Sequence, residues 1–325
     1  MDPVWKGVGV FVVLMGIVLC GPAIAQDYPV KPVRVIVPFA PGGITDNSVR
    51  VIADKLSARL GQQVVIENRP GAGGNIGTAA VAQALPDGYT LVLGYDGTFA
   101  INPHLYPKMP FDGFRDFAPI GRLGDATLIL VAHPSVQVRT LADLVALAKQ
   151  KPGALSFGSA GTATAGHVAM ELLCLQLGIN IVHVPYKGGA PALLDVVSGQ
   201  IPLVSTFIAS AAQYVKQGRV IALGVSSGKR DPALPDVPTF SEGGAQGYAV
   251  TSWLGLLAPA KTPRAIIDRL NRDIELVMNE PEVRERYATL GIVPSPGSTE
   301  AFTGLIRSDY ERWGKVVKQA GIKIE

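Results

Sequence analysis

Two cysteines in 325 residues, Cys20 and Cys174, are too few for a disulfide-stapled scaffold. The 4 histidines, His104, His133, His167 and His183, are scattered, with no H-x-x-H or C-x-x-C spacing, so neither a metal site nor a cofactor is expected. Charged residues are 17% of the chain and no Lys/Arg cluster forms, which excludes a nucleic-acid stripe. Beyond residue 26 no apolar run reaches the roughly 20 residues that a membrane helix needs. The protein is therefore expected to be water-soluble once any leader is removed.

What is present begins with the leader. Lys6 supplies a short positive region, Val8 to Leu19 an apolar stretch, and Ala23-Ile24-Ala25 the small residues that a signal peptidase reads. Residues 1–25 are expected to be a signal peptide that delivers the chain to the periplasm. Their removal takes away Asp2 and Lys6, so the net charge stays at +3, a mild bias toward anionic small molecules. It also takes away Cys20. Cys174 then stands alone in the run Leu172-Leu173-Cys174-Leu175, as a small core residue.

Strand-like and helix-like segments alternate through the rest. Val33 to Val37 is a β-branched run. Val49, Ile52, Ala53, Leu56 and Leu60 recur at helical spacing before Gly61. Val64 to Ile66 and Thr90 to Gly94 complete a βαβαβ order, which argues for a parallel sheet covered by helices. A second such series contains strands at Leu128–Ala132, Leu155–Phe157, Ile181–Val184 and Val220–Val225. Its helices lie after Thr140 and over about 165–177 and 190–197. Residues 229–238 read as a connection, and the remainder as mostly helical. Thr262 is expected to cap a helix opening at Pro263, and the last helix covers about 299–320.

Two loops share one character. Phe39-Ala40-Pro41-Gly42-Gly43, continuing to Asp46, and Ser159-Ala160-Gly161-Thr162, continuing to Thr164, each follow a strand and feed a helix. Ligands of open parallel sheets bind beyond the carboxyl ends of strands, and helix N-termini offer unpaired N–H groups to anions. Lacking bulky side chains, both loops let a ligand reach the backbone. A third segment, Val184-Pro185-Tyr186-Lys187-Gly188, ends a strand in the same way. It offers the Tyr186 ring and the Lys187 charge. Tyr95, just past the third strand, is a further candidate.

The sequence resembles the substrate-binding proteins of tripartite tricarboxylate transporters, the Bug or TctC-like family. The likeness is carried by Val37-Pro38-Phe39-Ala40-Pro41-Gly42-Gly43 with Asp46, and by Glu67-Asn68-Arg69-Pro70-Gly71-Ala72-Gly73-Gly74. It continues in Pro86-Asp87-Gly88-Tyr89, Gly158-Ser159-Ala160-Gly161 with His167, and His183-Val184-Pro185-Tyr186-Lys187-Gly188. The resemblance implies an α/β fold of two lobes, the periplasmic binding-protein or Venus-flytrap type, each lobe a sheet flanked by helices. One lobe would combine residues 27–125 with 226–325, and the other would hold 126–225. It implies a monomer with no enzymatic role. The two loops would close on the carboxylate of a small organic ligand, partly through water. The complex would then be presented to membrane transporter subunits or to a sensor kinase. His167 is expected to support the second loop. Many members of the family carry acids where this chain has Pro202 and Thr206. If Thr206 faces the cleft, an acidic contact to a ligand amine or hydroxyl is missing there, which argues against amino-acid ligands.

Two motifs point elsewhere. Gly224-Val225-Ser226-Ser227-Gly228 fits the G-x-S-x-G pattern of a nucleophile elbow, but Pro232, Pro235 and Pro238 leave no room for the helix that must follow. No histidine comes after His183 to complete a triad. Gly71-Ala72-Gly73-Gly74-Asn75-Ile76 lacks the third glycine of a dinucleotide loop.

Overall fold

The computed structural model describes residues 28–323. The signal-peptide assignment and Cys20 lie outside the described residues. Elements are numbered in chain order.

The first half-sheet starts from β1 (Val33–Val37), flanked in parallel by β2 (Val64–Asn68) and β3 (Thr90–Tyr95). Between β1 and β2 runs α1 (Ile44–Leu60). Its Val49, Ile52, Leu56 and Leu60 stripe buries against Val33, Val35 and Leu91. Gly61 stops α1 at φ +69°, a conformation that costs glycine little, with its N–H on the Ser57 carbonyl. α2 (Asn75–Ala82) connects β2 to β3.

The next strand, β4 (Phe117–Ala132), is 16 residues long and serves both halves of the molecule. Up to Thr127 it pairs antiparallel with β9 (Thr251–Pro259), itself the neighbour of β3, and near its middle with β10 (Ile292–Pro294). From Leu128 onward it pairs with β7 (Leu203–Phe207) and β8 (Ile221–Val225). β7 continues in parallel to β5 (Ser156–Ser159), and β5 to β6 (Val182–Pro185). The helices of this second half are α3 (Leu141–Gln150), α4 (Ala165–Leu177), α5 (Gly189–Val197) and α6 (Ile208–Lys216). The chain then returns through β9 to α7 (Arg264–Met278), α8 (Pro281–Thr289) and α9 (Thr299–Ala320). The result is a two-lobed α/β architecture with a mixed sheet flanked by helices.

Several sequence expectations need correction. β4 starts eleven residues before Leu128. Its register shifts at Pro119/Gly121 and Arg122/Gly124, and such irregularities erase the alternation by which a strand is recognised. Thr251–Pro259 is a strand, not part of a helical remainder. Trp253, Leu254, Leu256 and Leu257 are all buried, and a short apolar run buried on both faces carries no strand period. β7 and α6 were not anticipated. Thr262 caps nothing: α7 opens at Arg264 with Pro263 in the cap position, and the buried Thr262 hydroxyl has no partner among the described residues. At α3, by contrast, Thr140 and Asp143 form a full capping box.

The two connections between the half-sheets touch each other. Ser226 donates its N–H to the Leu128 carbonyl at 2.9 Å, and its carbonyl accepts the Val250 N–H at 2.8 Å. Its hydroxyl accepts the Leu128 N–H at 3.0 Å and donates to the Val250 carbonyl at 2.7 Å. The serine of the G-x-S-x-G motif is thus fully buried and joins β4 to the residue that precedes β9, and the next element after it is a strand rather than a helix.

Candidate functional site

A cavity of about 680 Å³ lies between the half-sheets. Four helices begin at its wall: α1 with Gly43 in the cap position, α4 with Thr164, α5 with Gly188 and α6 with Phe207. In none of the four does the cap residue's own side chain bond the first turn. Elsewhere α3 and α9 are capped by Thr140 and Ser298, whereas α7 and α8 also start without a side-chain cap. Each start turns first-turn N–H groups and about half a positive charge toward the cavity, although the Ala165 N–H of α4 is shared with the Tyr95 hydroxyl.

The first loop leaves β1 and reaches α1 through Phe39, Ala40, Pro41 and Gly43, all of which line the cavity. Gly42 and Asp46 stand behind them. Gly42 adopts φ +85° and gives its N–H to Asp46 Oδ2 at 2.8 Å. The same carboxylate accepts Arg50 Nε at 2.8 Å and, through Oδ1, Asn68 Nδ2 at 2.9 Å. Asp46 therefore builds the loop from within. Burial opposes its ionisation. The hydrogen bonds from Arg50, Gly42 and Asn68, with the Arg50 charge, outweigh that cost and hold the carboxyl below its ordinary range.

From the second loop, Ala160, Thr162 and Thr164 line the cavity, whereas Ser159 and Gly161 do not. Ser159 is buried. Its hydroxyl donates to the Gly161 carbonyl at 3.0 Å and stands 2.7 Å from His183 Nε2. His167 Nδ1 accepts the Ala163 N–H at 3.1 Å, the support expected of it. The two imidazoles stack with centroids 3.7 Å apart. Burial, reinforced by the neighbouring His167, pushes His183 down to about 3, so its ring stays neutral.

Tyr95 and Thr206 also line the cavity. The Tyr95 ring meets Phe39 edge-on at 5.5 Å, and its hydroxyl accepts the Ala165 N–H at 3.4 Å, tying β3 to the start of α4 across the cleft. Tyr186 and Lys187 are not in the wall. Tyr186 packs over Gly158 and donates its hydroxyl to Asp195 Oδ2 at 2.7 Å. Burial and that neighbouring carboxylate push its hydroxyl up to about 12.

Sequence reading missed much of the far wall: Ser205 and Phe207 at the end of β7, Ala209 and Ser210 in α6, Tyr106, and Thr289–Leu290 at the end of α8. The β7–α6 junction repeats the strand-to-helix pattern and was open to detection. Nothing local marks Thr289 or Leu290, which reach the cavity only through tertiary packing.

Residues 48–322 match the model of the tripartite tricarboxylate transporter family receptor. The chain belongs to this family. Among solved structures, the receptor resembles Rpa4515 of R. palustris with adipate, at 35% identity and TM-score 0.82, covering 91% of this chain and 99% of that one. The periplasmic binding protein BugD is 35% identical with TM-score 0.78, over 92% and 100% of the two chains. MatC from Rhodopseudomonas palustris with bound malate is 33% identical with TM-score 0.78, over 89% and 100%. Among the described residues the receptor has no helix long and apolar enough to cross a membrane, and no group of three acidic, histidine or cysteine residues placed to hold a metal.

Proposed function

We propose that this receptor captures a small organic carboxylate between its lobes in the periplasm and hands it to the membrane subunits of its transporter. One observation carries the reading: the uncapped starts of α1 and α4, from opposite halves of the sheet, open into one cavity. A carboxylate there would accept N–H groups from both lobes, each bond contributing about 1.5–3 kcal/mol. Such a ligand stabilises the closed arrangement because only closure brings both sets within reach. The adipate and malate held by the two structural relatives support this ligand class.

Three finer points belong to the same proposal. Residues 1–25 act as the export signal. The protein performs no covalent chemistry on its ligand. The lobes divide as 27–125 with the C-terminal part, against a central lobe starting at 126. Packing of Gly243 near Leu141, and the Tyr248 hydroxyl on the Ala169 carbonyl at 2.7 Å, favour extending the central lobe from 225 to about 250.

A thermal-shift screen tests the reading. Protein purified unfolded, to strip bound ligand, is refolded and heated with a panel of carboxylates. A true ligand at a hundred times its Kd adds about 2.7 kcal/mol of stability, several degrees in Tm. A panel in which no carboxylate moves the transition would refute the proposal.

A further inference from the structure

Among the described residues, no aspartate, glutamate, lysine, arginine or histidine lines the cavity. Of the ionisable groups behind its loops, Asp46 is engaged by Gly42, Arg50 and Asn68, Asp195 by Tyr186, and the imidazoles of His167 and His183 by each other and by the second loop; Asp96, between the lining residues Tyr95 and Gly97, is buried outside the wall and accepts the Gly97 N–H and the Ser252 hydroxyl, and Lys187 is exposed outside it. A ligand ammonium group would lose water and gain no counter-ion, an arrangement that proteins avoid. The positive ends of four helices would also repel it. Only groups that welcome negative charge, or carry none, face the ligand.

The uncharged wall is largely hydrocarbon. Leu128 and Phe207 are cross-strand neighbours. Leu290 comes over from the other half, where Gly291 approaches α6 so closely that a Cβ on it would stand 2.7 Å from the Ala209 Cβ. Opposite them lies the Phe39–Tyr95 pair.

We propose that the captured carboxylate is the single charge of an otherwise uncharged and mainly apolar molecule, an aromatic or medium-chain aliphatic monocarboxylate, and that amino acids are rejected. This rests on the carboxylate reading above. The carboxylate takes the N–H groups of the two loops, and the apolar body lies on Leu128, Phe207 and Leu290. Thr206 sets the rejection. It is 5% exposed and its hydroxyl stands 3.2 Å from where a Cβ on Gly189 would be, so its position governs the charge of the wall at the start of α5.

Calorimetry on the stripped, refolded protein compares two matched pairs. Hydrocinnamate and phenylalanine share a skeleton and differ by an ammonium group. Hexanoate and adipate differ by a second carboxylate. Hydrocinnamate is expected to bind about 100-fold tighter than phenylalanine, and hexanoate about 10-fold tighter than adipate. In Thr206→Asp the first ratio narrows at least about tenfold, because the new carboxylate pairs the ammonium and repels the acid. Phenylalanine or adipate binding as tightly as its partner overturns the inference. If malate binds while both monocarboxylates fail, the inference falls and the carboxylate reading stands. If no carboxylate binds, both fall.

Discussion

The Ser226 hydroxyl accepts the Leu128 N–H at 3.0 Å, at the point where β4 passes from one half-sheet to the other. The same oxygen donates to the Val250 carbonyl at 2.7 Å, just before β9 makes the return passage. One buried side chain therefore pins both passages together.

Ser226→Ala leaves the buried Leu128 N–H without its side-chain acceptor. The expected cost is about 1–3 kcal/mol of stability, read as a Tm lowered by several degrees. Carboxylate affinity should change far less than stability. A variant as stable as the parent would contradict the pinning role.

Gly43 occupies the cap of α1 with extended backbone, φ −78° and ψ 172°, and a Cβ there would meet nothing closer than 3.9 Å. Gly43→Asp should therefore fold. Its own carboxylate would cap α1 and compensate the helix dipole, contributing a few tenths to about 1 kcal/mol. It would also occupy the N–H groups proposed for the ligand. Tm is expected to hold or rise while carboxylate binding disappears from calorimetry. Retained affinity would remove the first loop from the site.

Asp46 titrates below its ordinary value in the folded protein, so its contribution is present above the unfolded value of 3.8 and is lost as pH falls through the folded one. Asp46→Asn should lose about 1 kcal/mol near neutral pH, with the deficit closing in strong acid. Denaturant midpoints across the acid range measure this. A deficit independent of pH would show that the carboxylate charge is not what holds the loop.

Asp96 behaves oppositely. It follows Tyr95, is fully buried, and accepts Gly97 N–H at 2.9 Å and the Ser252 hydroxyl at 2.6 Å, while its Oδ2 has no partner among the described residues. Burial, with the Asp309 charge behind it, pushes the carboxyl up to about 7, against the opposing influence of Ser252, Gly97 and Arg312. The folded state thus holds a proton that the unfolded chain releases near 3.8, and stability falls as pH rises from there to about 7. Asp96→Asn should remove that slope. It should be more stable than the parent in mildly alkaline buffer by one to a few kcal/mol, on the order set by the shifted proton, with the advantage fading in acid. An unchanged slope would contradict the assignment.

The part of the site nearest the sequence was readable because its chemistry is local. Phe39 to Gly43 and Ala160 to Thr164 each sit between a β-branched run and an amphipathic helix, and small residues there have few purposes other than close approach. Local reading could not separate residues that face the cavity from residues that shape the loop. Asp46, Ser159 and His167 belong to the right loops but turn their polar atoms inward. Thr289 and Leu290 were invisible because a helix end carries no mark of the surface it will meet. In the fold, α1 showed a clear periodicity and a clear stop at Gly61. β9 did not, since a strand covered on both faces looks like any short apolar run.

The central claim is that amides from both lobes meet on one carboxylate. A crystal structure with the bound ligand tests it most directly. The account predicts carboxylate oxygens within about 3 Å of N–H groups, directly or through one water, at the starts of both α1 and α4. A carboxylate held by one lobe alone, or outside the cavity bounded by Gly43 and Thr164, would contradict it.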